Sequence, residues 1–101
     1  MAKIIWTAGA LSDVDEIADF IALDKADAAN RLVARIFERV EILETFPELG
    51  RFAPELSGQI HRQLVVAPCR IIYRIELDAV VIELVIRGER LLREELLKRK
   101  F

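Results

Sequence analysis

The hydrophobic period changes once along this chain, and that change restricts the fold more than any other feature. From Ala8 to about Leu23 the apolar residues Ala10, Val14, Ile17, Ala18 and Ile21 recur at helical spacing, with Asp13, Asp15, Glu16 and Asp19 on the remaining face. A second stretch repeats the pattern through Ala29, Leu32, Val33, Ile36, Val40 and Leu43, with Arg35, Arg39, Glu41 and Glu44 turned outward. Asp24 to Asp27 interrupts the two and offers a cap, so an antiparallel helical hairpin is predicted. Beyond residue 59 the pattern turns strand-like in three runs, Ile60–Val66, Cys69–Glu76 and Ala79–Arg87. Only Ala67-Pro68 and Leu77-Asp78 separate them, and connections that short predict an antiparallel meander.

The flanking segments complete the layout. Residues 2–7 read as a short strand through Ile4, Ile5 and Trp6, and the Thr7 hydroxyl can cap the helix that follows by accepting from an orphan backbone N–H. Phe46 to Gln59 is punctuated by Pro47, Gly50, Pro54 and Gly58 and reads as a loop with room for a turn of helix inside it. Gly88 ends the last strand, and residues 89–101 carry Leu92 and Leu96 at helical spacing before the basic Lys98-Arg99-Lys100. The predicted class is α+β. It comprises an N-terminal strand, a two-helix antiparallel hairpin, a three-stranded antiparallel meander completing a four-stranded sheet, and a short C-terminal helix, in one domain over residues 1–101.

Composition narrows the function classes. With 53% hydrophobic and 32% charged residues the chain is globular, and no apolar run approaches the roughly 18–20 residues of a membrane span. The single Cys69 excludes an intrachain disulfide and suits a reducing cytoplasm, where the protein is expected to reside. The net charge of −2 conceals a split. Residues 1–50 hold five Lys or Arg against ten Asp or Glu, a net −5, while residues 51–101 hold ten against seven, a net +3. A basic C-terminal half suits an anionic partner, whereas overall acidity argues against sequence-specific nucleic-acid binding by the chain alone.

Catalytic motifs are scarce. The only histidine, His61, has no Cys or acidic cluster at ligand spacing, so neither a metal nor a cofactor is expected, and beside Arg62 it reads as a solvated side chain. Cys69 and Tyr73 alternate with Ile71 and Ile75 and read as core. The remaining signal is the placement of arginines. Strict alternation puts Arg70, Ile72, Arg74 and Glu76 on one face of the middle strand, and Val81, Glu83, Val85 and Arg87 on one face of the next. One sheet face would then present Arg70, Arg74 and Arg87 around Ile72, Val81 and Val85, with Glu83 near. By parity Arg62 falls on the core side with Leu64 and Val66 unless the strand starts later, so its placement stays open between core and solvent.

These segments, taken in order, resemble a known superfamily. Trp6, Ala10, Asp13-Val14, Ile17 and Phe20-Ile21 come first, followed by Ala29, Ile36 and Leu43, then Phe46-Pro47-Glu48-Leu49-Gly50-Arg51 and Pro54-Glu55-Leu56. Arg62-Gln63-Leu64, Arg70-Ile71-Ile72-Tyr73-Arg74 and Arg87-Gly88-Glu89-Arg90 complete the series. The whole resembles the ParE/RelE superfamily of type II toxin–antitoxin toxins. The resemblance implies a ParD-like or related antitoxin whose disordered C-terminal segment folds as it wraps the toxin. It also implies growth arrest when the toxin is free, and the plasmid-stabilisation role of such systems.

Two activities occur in that superfamily. RelE-like members are ribosome-dependent mRNA endonucleases with basic sheet residues and a C-terminal tyrosine or histidine. Arg70 and Arg90 match basic positions of that site, but residues 87–101 contain neither Tyr nor His, and Gln63, Leu64 and Val65 stand where such nucleases offer lysines. ParE-like members poison DNA gyrase and need no nuclease residues. The Pro47–Arg51 loop favours this branch, although Arg87 stands where the ParE pattern often has histidine. The resemblance therefore implies a ParE-like gyrase inhibitor, no catalytic residues, and Arg51, Arg70, Arg74, Arg87 and Arg90 as the target- or antitoxin-binding set. A RelE-like nuclease and a non-toxic, antitoxin-binding homologue remain the alternatives.

Overall fold

The computed structural model describes residues 1–88, 92 and 94–98. Strand β1 (Lys3–Trp6) leads into helices α1 (Ala8–Ala22) and α2 (Ala26–Glu41), and a 3₁₀ turn at Ile42–Glu44 extends the second helix. Strands β2 (Arg51–Phe52), β3 (His61–Val66), β4 (Cys69–Glu76) and β5 (Ala79–Arg87) follow, and a 3₁₀ turn at Glu94–Lys98 closes the described chain. Thr7 caps α1 as the sequence predicts: its Oγ1 accepts from the Ala10 N–H at 3.1 Å and donates to the Ile82 carbonyl at 2.8 Å. The second helix differs, because Lys25 occupies its N-cap position with no side-chain hydrogen bond.

The sheet has five strands rather than four, in the order β1-β5-β4-β3-β2. The meander is antiparallel, as expected, but β1 runs parallel to β5, so the sheet is mixed. The fifth strand is a two-residue pairing of Arg51 with Gln63 and of Phe52 with Arg62, inside the segment that reads as a loop. Two residues are too few to leave an alternation in the sequence. Of the predicted C-terminal helix the described residues show a 3₁₀ turn at Glu94–Lys98, and residues 89–91, 93 and 99–101 lie outside the described residues.

Two cores flank the sheet. Ala10, Val14, Ile17, Leu32, Ile36, Val40 and Leu43 of the helical layer pack on Leu64, Val66, Cys69, Ile71, Tyr73, Val80, Ile82 and Val85. Full burial of each large apolar side chain contributes about 1.5–3 kcal/mol. On the opposite face Ala53, Leu56 and Leu92 cover Ile72, Leu84 and Ile86, with Leu96 and Leu97 beside them. Leu92 and Leu96 therefore pack on the sheet. Trp6 is a half-buried edge residue, its ring 4.8 Å from that of Phe37 on α2.

A β-bulge separates these cores within one strand. Ile72 pairs with Leu84 and Tyr73 with Ile82, so Glu83 is an extra residue on β5. Strict alternation is broken there. Val80 and Ile82 face the helices, whereas Leu84 and Ile86 face the other side, and Val85 returns to the helical core. The Val85 N–H donates to Oδ2 of buried Asp13 on α1 at 2.9 Å, which fastens the helical layer to the irregular strand.

Candidate interaction site

The bulge redistributes the arginines. Arg70 and Arg74 share the face opposite the helices, but Arg87 lies beyond the bulge on the helical side, its guanidinium 4.5 Å from the ring centroid of Phe20 on α1. The single arginine face expected from alternation is therefore divided in two. Arg90 lies outside the described residues.

Arg70 and Arg74 are neutralised from within. The Arg70 fork donates from Nη1 and Nη2 to the two Glu55 oxygens at 2.7 and 2.8 Å, and its Nε donates to Gln63 Oε1 at 2.9 Å. The Arg70 hydrogen bond holds the Glu55 carboxyl below its ordinary value. Arg74 bridges Glu76 and Glu83, donating to Glu83 Oε1 from Nε at 2.5 Å. These carboxylates raise the Arg74 pKa, Glu76 contributing most, so the guanidinium is a fixed cation. His61 is drawn into the same network, with Nε2 at 3.1 Å from Glu83 Oε2. Its side chain is 18% exposed, so it is packed rather than solvated. The sequence signal for this was Glu83, a lone carboxylate in an apolar strand opposite a basic one.

The segment Phe46–Phe52 is built differently. Tyr73 on β4 is fully buried, and its hydroxyl reaches the loop, donating to the Pro47 carbonyl and accepting from the Gly50 N–H, each at 2.8 Å. Burial raises the Tyr73 pKa above the ordinary phenol value, against the lowering effect of the Gly50 hydrogen bond. A Cβ on Gly50 would lie 2.5 Å from the Gln63 carbonyl oxygen and 2.7 Å from the Tyr73 hydroxyl, so only glycine fits. Arg62 adds a second clamp. Its Nη1 donates to the carbonyl oxygens of Gly50 at 2.8 Å and Glu48 at 3.3 Å, and its guanidinium sits 4.1 Å over the Phe52 ring. This resolves its parity: it lies at the edge of the core, satisfied by loop carbonyls.

Clamped in this way, the loop turns its apolar side chains outward. Phe46, Leu49 and Phe52 are 60%, 49% and 39% exposed. Arg51 is exposed between them, and its side chain makes no hydrogen bond or ion pair among the described residues. No group of three or more His, Cys, Asp or Glu among the described residues could hold a metal ion, and no helix of theirs is long and apolar enough to cross a membrane.

Comparison with known proteins agrees with this architecture. Over residues 4–92 the chain matches the family described as "ParE toxin of type II toxin-antitoxin system, parDE". Two similar proteins are named as toxins. Y4kP of Sinorhizobium fredii is 42% identical over 84 residues, covering 79% of this chain and 82% of the relative. Toxin RelE2 of Caulobacter vibrioides is 35% identical over 81 residues, covering 80% and 88%. A solved structure described as the chromosomal ParDE TA system from P. aeruginosa superimposes with a TM-score of 0.73 at 26% identity, covering 88% of this chain and 98% of that one. With its fold and its sequence in agreement, this chain belongs to the ParE toxin family of type II toxin–antitoxin systems.

Proposed function

We propose that this chain is a ParE-type toxin that inhibits DNA gyrase by stalling it on cleaved DNA, and that a cognate antitoxin holds it inactive in the cytoplasm. The observation that carries this reading over a nuclease is the fate of its proton-transfer groups. The chain has one histidine and one tyrosine. The histidine is packed against Glu83, and the tyrosine is fully buried in the clamp of the Pro47–Gly50 loop. Cleavage of an RNA phosphodiester needs a general base and acid within reach of the scissile group, and here the tyrosine is buried while the histidine stands on β3 rather than in the C-terminal segment. Arginines can stabilise phosphorane charge, but Arg70 and Arg74 would first have to release Glu55, Glu76 and Glu83.

Target or antitoxin contact is assigned to the arginine set Arg51, Arg70, Arg74, Arg87 and Arg90, with Arg51 the member exposed and unpaired among the described residues. The relative named RelE2 keeps ribosome-dependent RNA cleavage as the second reading. A supercoiling assay with purified gyrase decides between them. Cleaved DNA that accumulates with the toxin and disappears on adding the antitoxin is the expected result. Unimpaired supercoiling together with cleavage of mRNA on translating ribosomes would overturn the proposal.

A further inference from the structure

A surface loop fixed by a buried tyrosine loses the conformational freedom that other loops keep. Here Tyr73 spends the only phenol of the chain on the Pro47 carbonyl and the Gly50 N–H, Arg62 holds two further carbonyls, and Gly50 is packed so closely that no side chain fits. The segment thus immobilised presents Phe46 and Leu49 to solvent, with Arg51 between Leu49 and Phe52. Apolar side chains and an unpaired guanidinium on a rigid support are the composition and mechanical state of an interface hot spot, because fixing the loop beforehand removes the ordering cost of binding. Arg70 and Arg74 lack this freedom, since their charges are already met by Glu55, Glu76 and Glu83.

We infer that Phe46, Leu49 and Arg51 form the surface with which this toxin grips its target, and that the target offers a preformed protein surface with an apolar pocket beside a carboxylate. Charge decides the second part. Arg51 is the loop's unpaired cation among the described residues, so its counterpart is anionic. Rigidity decides the first. An antitoxin segment that folds on binding adapts to whatever surface it meets, whereas a folded target demands a counterpart already in place. The inference deepens the toxin reading above and rests on it.

The test compares the wild-type chain with two variants, Arg51→Glu alone and Phe46→Ser combined with Leu49→Ser. All three positions are exposed, so folding is expected to persist, and circular dichroism with binding to the antitoxin encoded beside the toxin verifies it. Growth arrest on expression and trapping of cleaved DNA by purified gyrase are the activity readouts. Each variant should lose about tenfold or more in both, the size of one hot-spot deletion, while antitoxin affinity stays within about threefold. Undiminished arrest by both variants overturns the inference. Parallel loss of antitoxin binding by folded variants also overturns it, because the loop would then be the antitoxin's seat. If the wild type arrests growth without trapping gyrase, the gyrase reading fails alone and the loop is judged on arrest. A wild type that arrests nothing overturns both.

Discussion

Replacing Tyr73 with Phe isolates the clamp from the core around it. The ring remains, so its burial between β4 and the helices is unchanged, and only the hydroxyl is removed. Two hydrogen bonds of 2.8 Å are lost. The Gly50 N–H belongs to a buried residue and is left without its acceptor, which costs about 1–3 kcal/mol. The half-buried Pro47 carbonyl can turn towards water, so its loss lies nearer 0.5–1 kcal/mol, about the net worth of one hydrogen bond. A total of about 1.5–4 kcal/mol corresponds to a fall in Tm of roughly 6–30 °C for a domain of this size. Urea unfolding followed by the fluorescence of Trp6, the single tryptophan, should show a lower midpoint at constant slope. Alkaline pH supplies a second arm. Burial raises the folded pKa of Tyr73 above its unfolded value near 10, so this group's contribution is whole below that pH. It is lost as pH rises towards and through the folded value, because the unfolded chain ionises first. The absorbance of the only tyrosinate should appear above the usual range, and Tyr73→Phe should lack the alkaline loss. A change below about 0.5 kcal/mol would refute the clamp, and identical alkaline limbs would refute the burial of the hydroxyl.

Asp13→Ala should cost about 1–3 kcal/mol in denaturant unfolding, because it strips the acceptor from the Val85 N–H at the bulge. Asp13→Asn should cost less, since an amide oxygen can still accept, and amide exchange at Val85 should be faster in the alanine variant. Glu55 contributes stability above its ordinary pKa of 4.5, and this is lost as pH falls through the lowered folded value set by Arg70. Glu55→Gln should therefore flatten the acid limb of stability measured from about pH 6 to about pH 2, and an unchanged limb would show that the pair is fully screened.

Much of the fold was legible because periodicity is a local property. The helical spacing of α1 and α2, the Thr7 cap, and the runs that became β3, β4 and β5 all follow from positions within a few residues of one another. The near-continuous apolar run Val80-Val81-Ile82 and Leu84-Val85-Ile86 concealed the bulge, because a strand buried on both faces has no polar face to mark its parity. One inserted residue then moved Arg87 across the sheet to Phe20, and the expected arginine face came apart. The packing of His61 leaves no local trace for a related reason. Its partner Glu83 lies 22 residues away, and only the pairing of β3, β4 and β5 brings them together.

Local pattern alone thus yields the α+β class, the helical hairpin, the three-stranded meander and, through the ordered segments from Trp6 to Arg90, the toxin superfamily. Which charges are available is set by long-range packing. Whether a guanidinium is an open binding group or one half of an internal ion pair depends on which carboxylate the fold sets beside it, as with Glu55 on Arg70 and Glu83 on Arg74. The same packing makes the Pro47–Arg51 segment a fixed surface rather than a slack connection, because the clamping hydroxyl of Tyr73 arrives from a strand 23 residues away from Gly50. Local pattern specifies elements, whereas long-range contact determines which side chains remain unpaired at their surface.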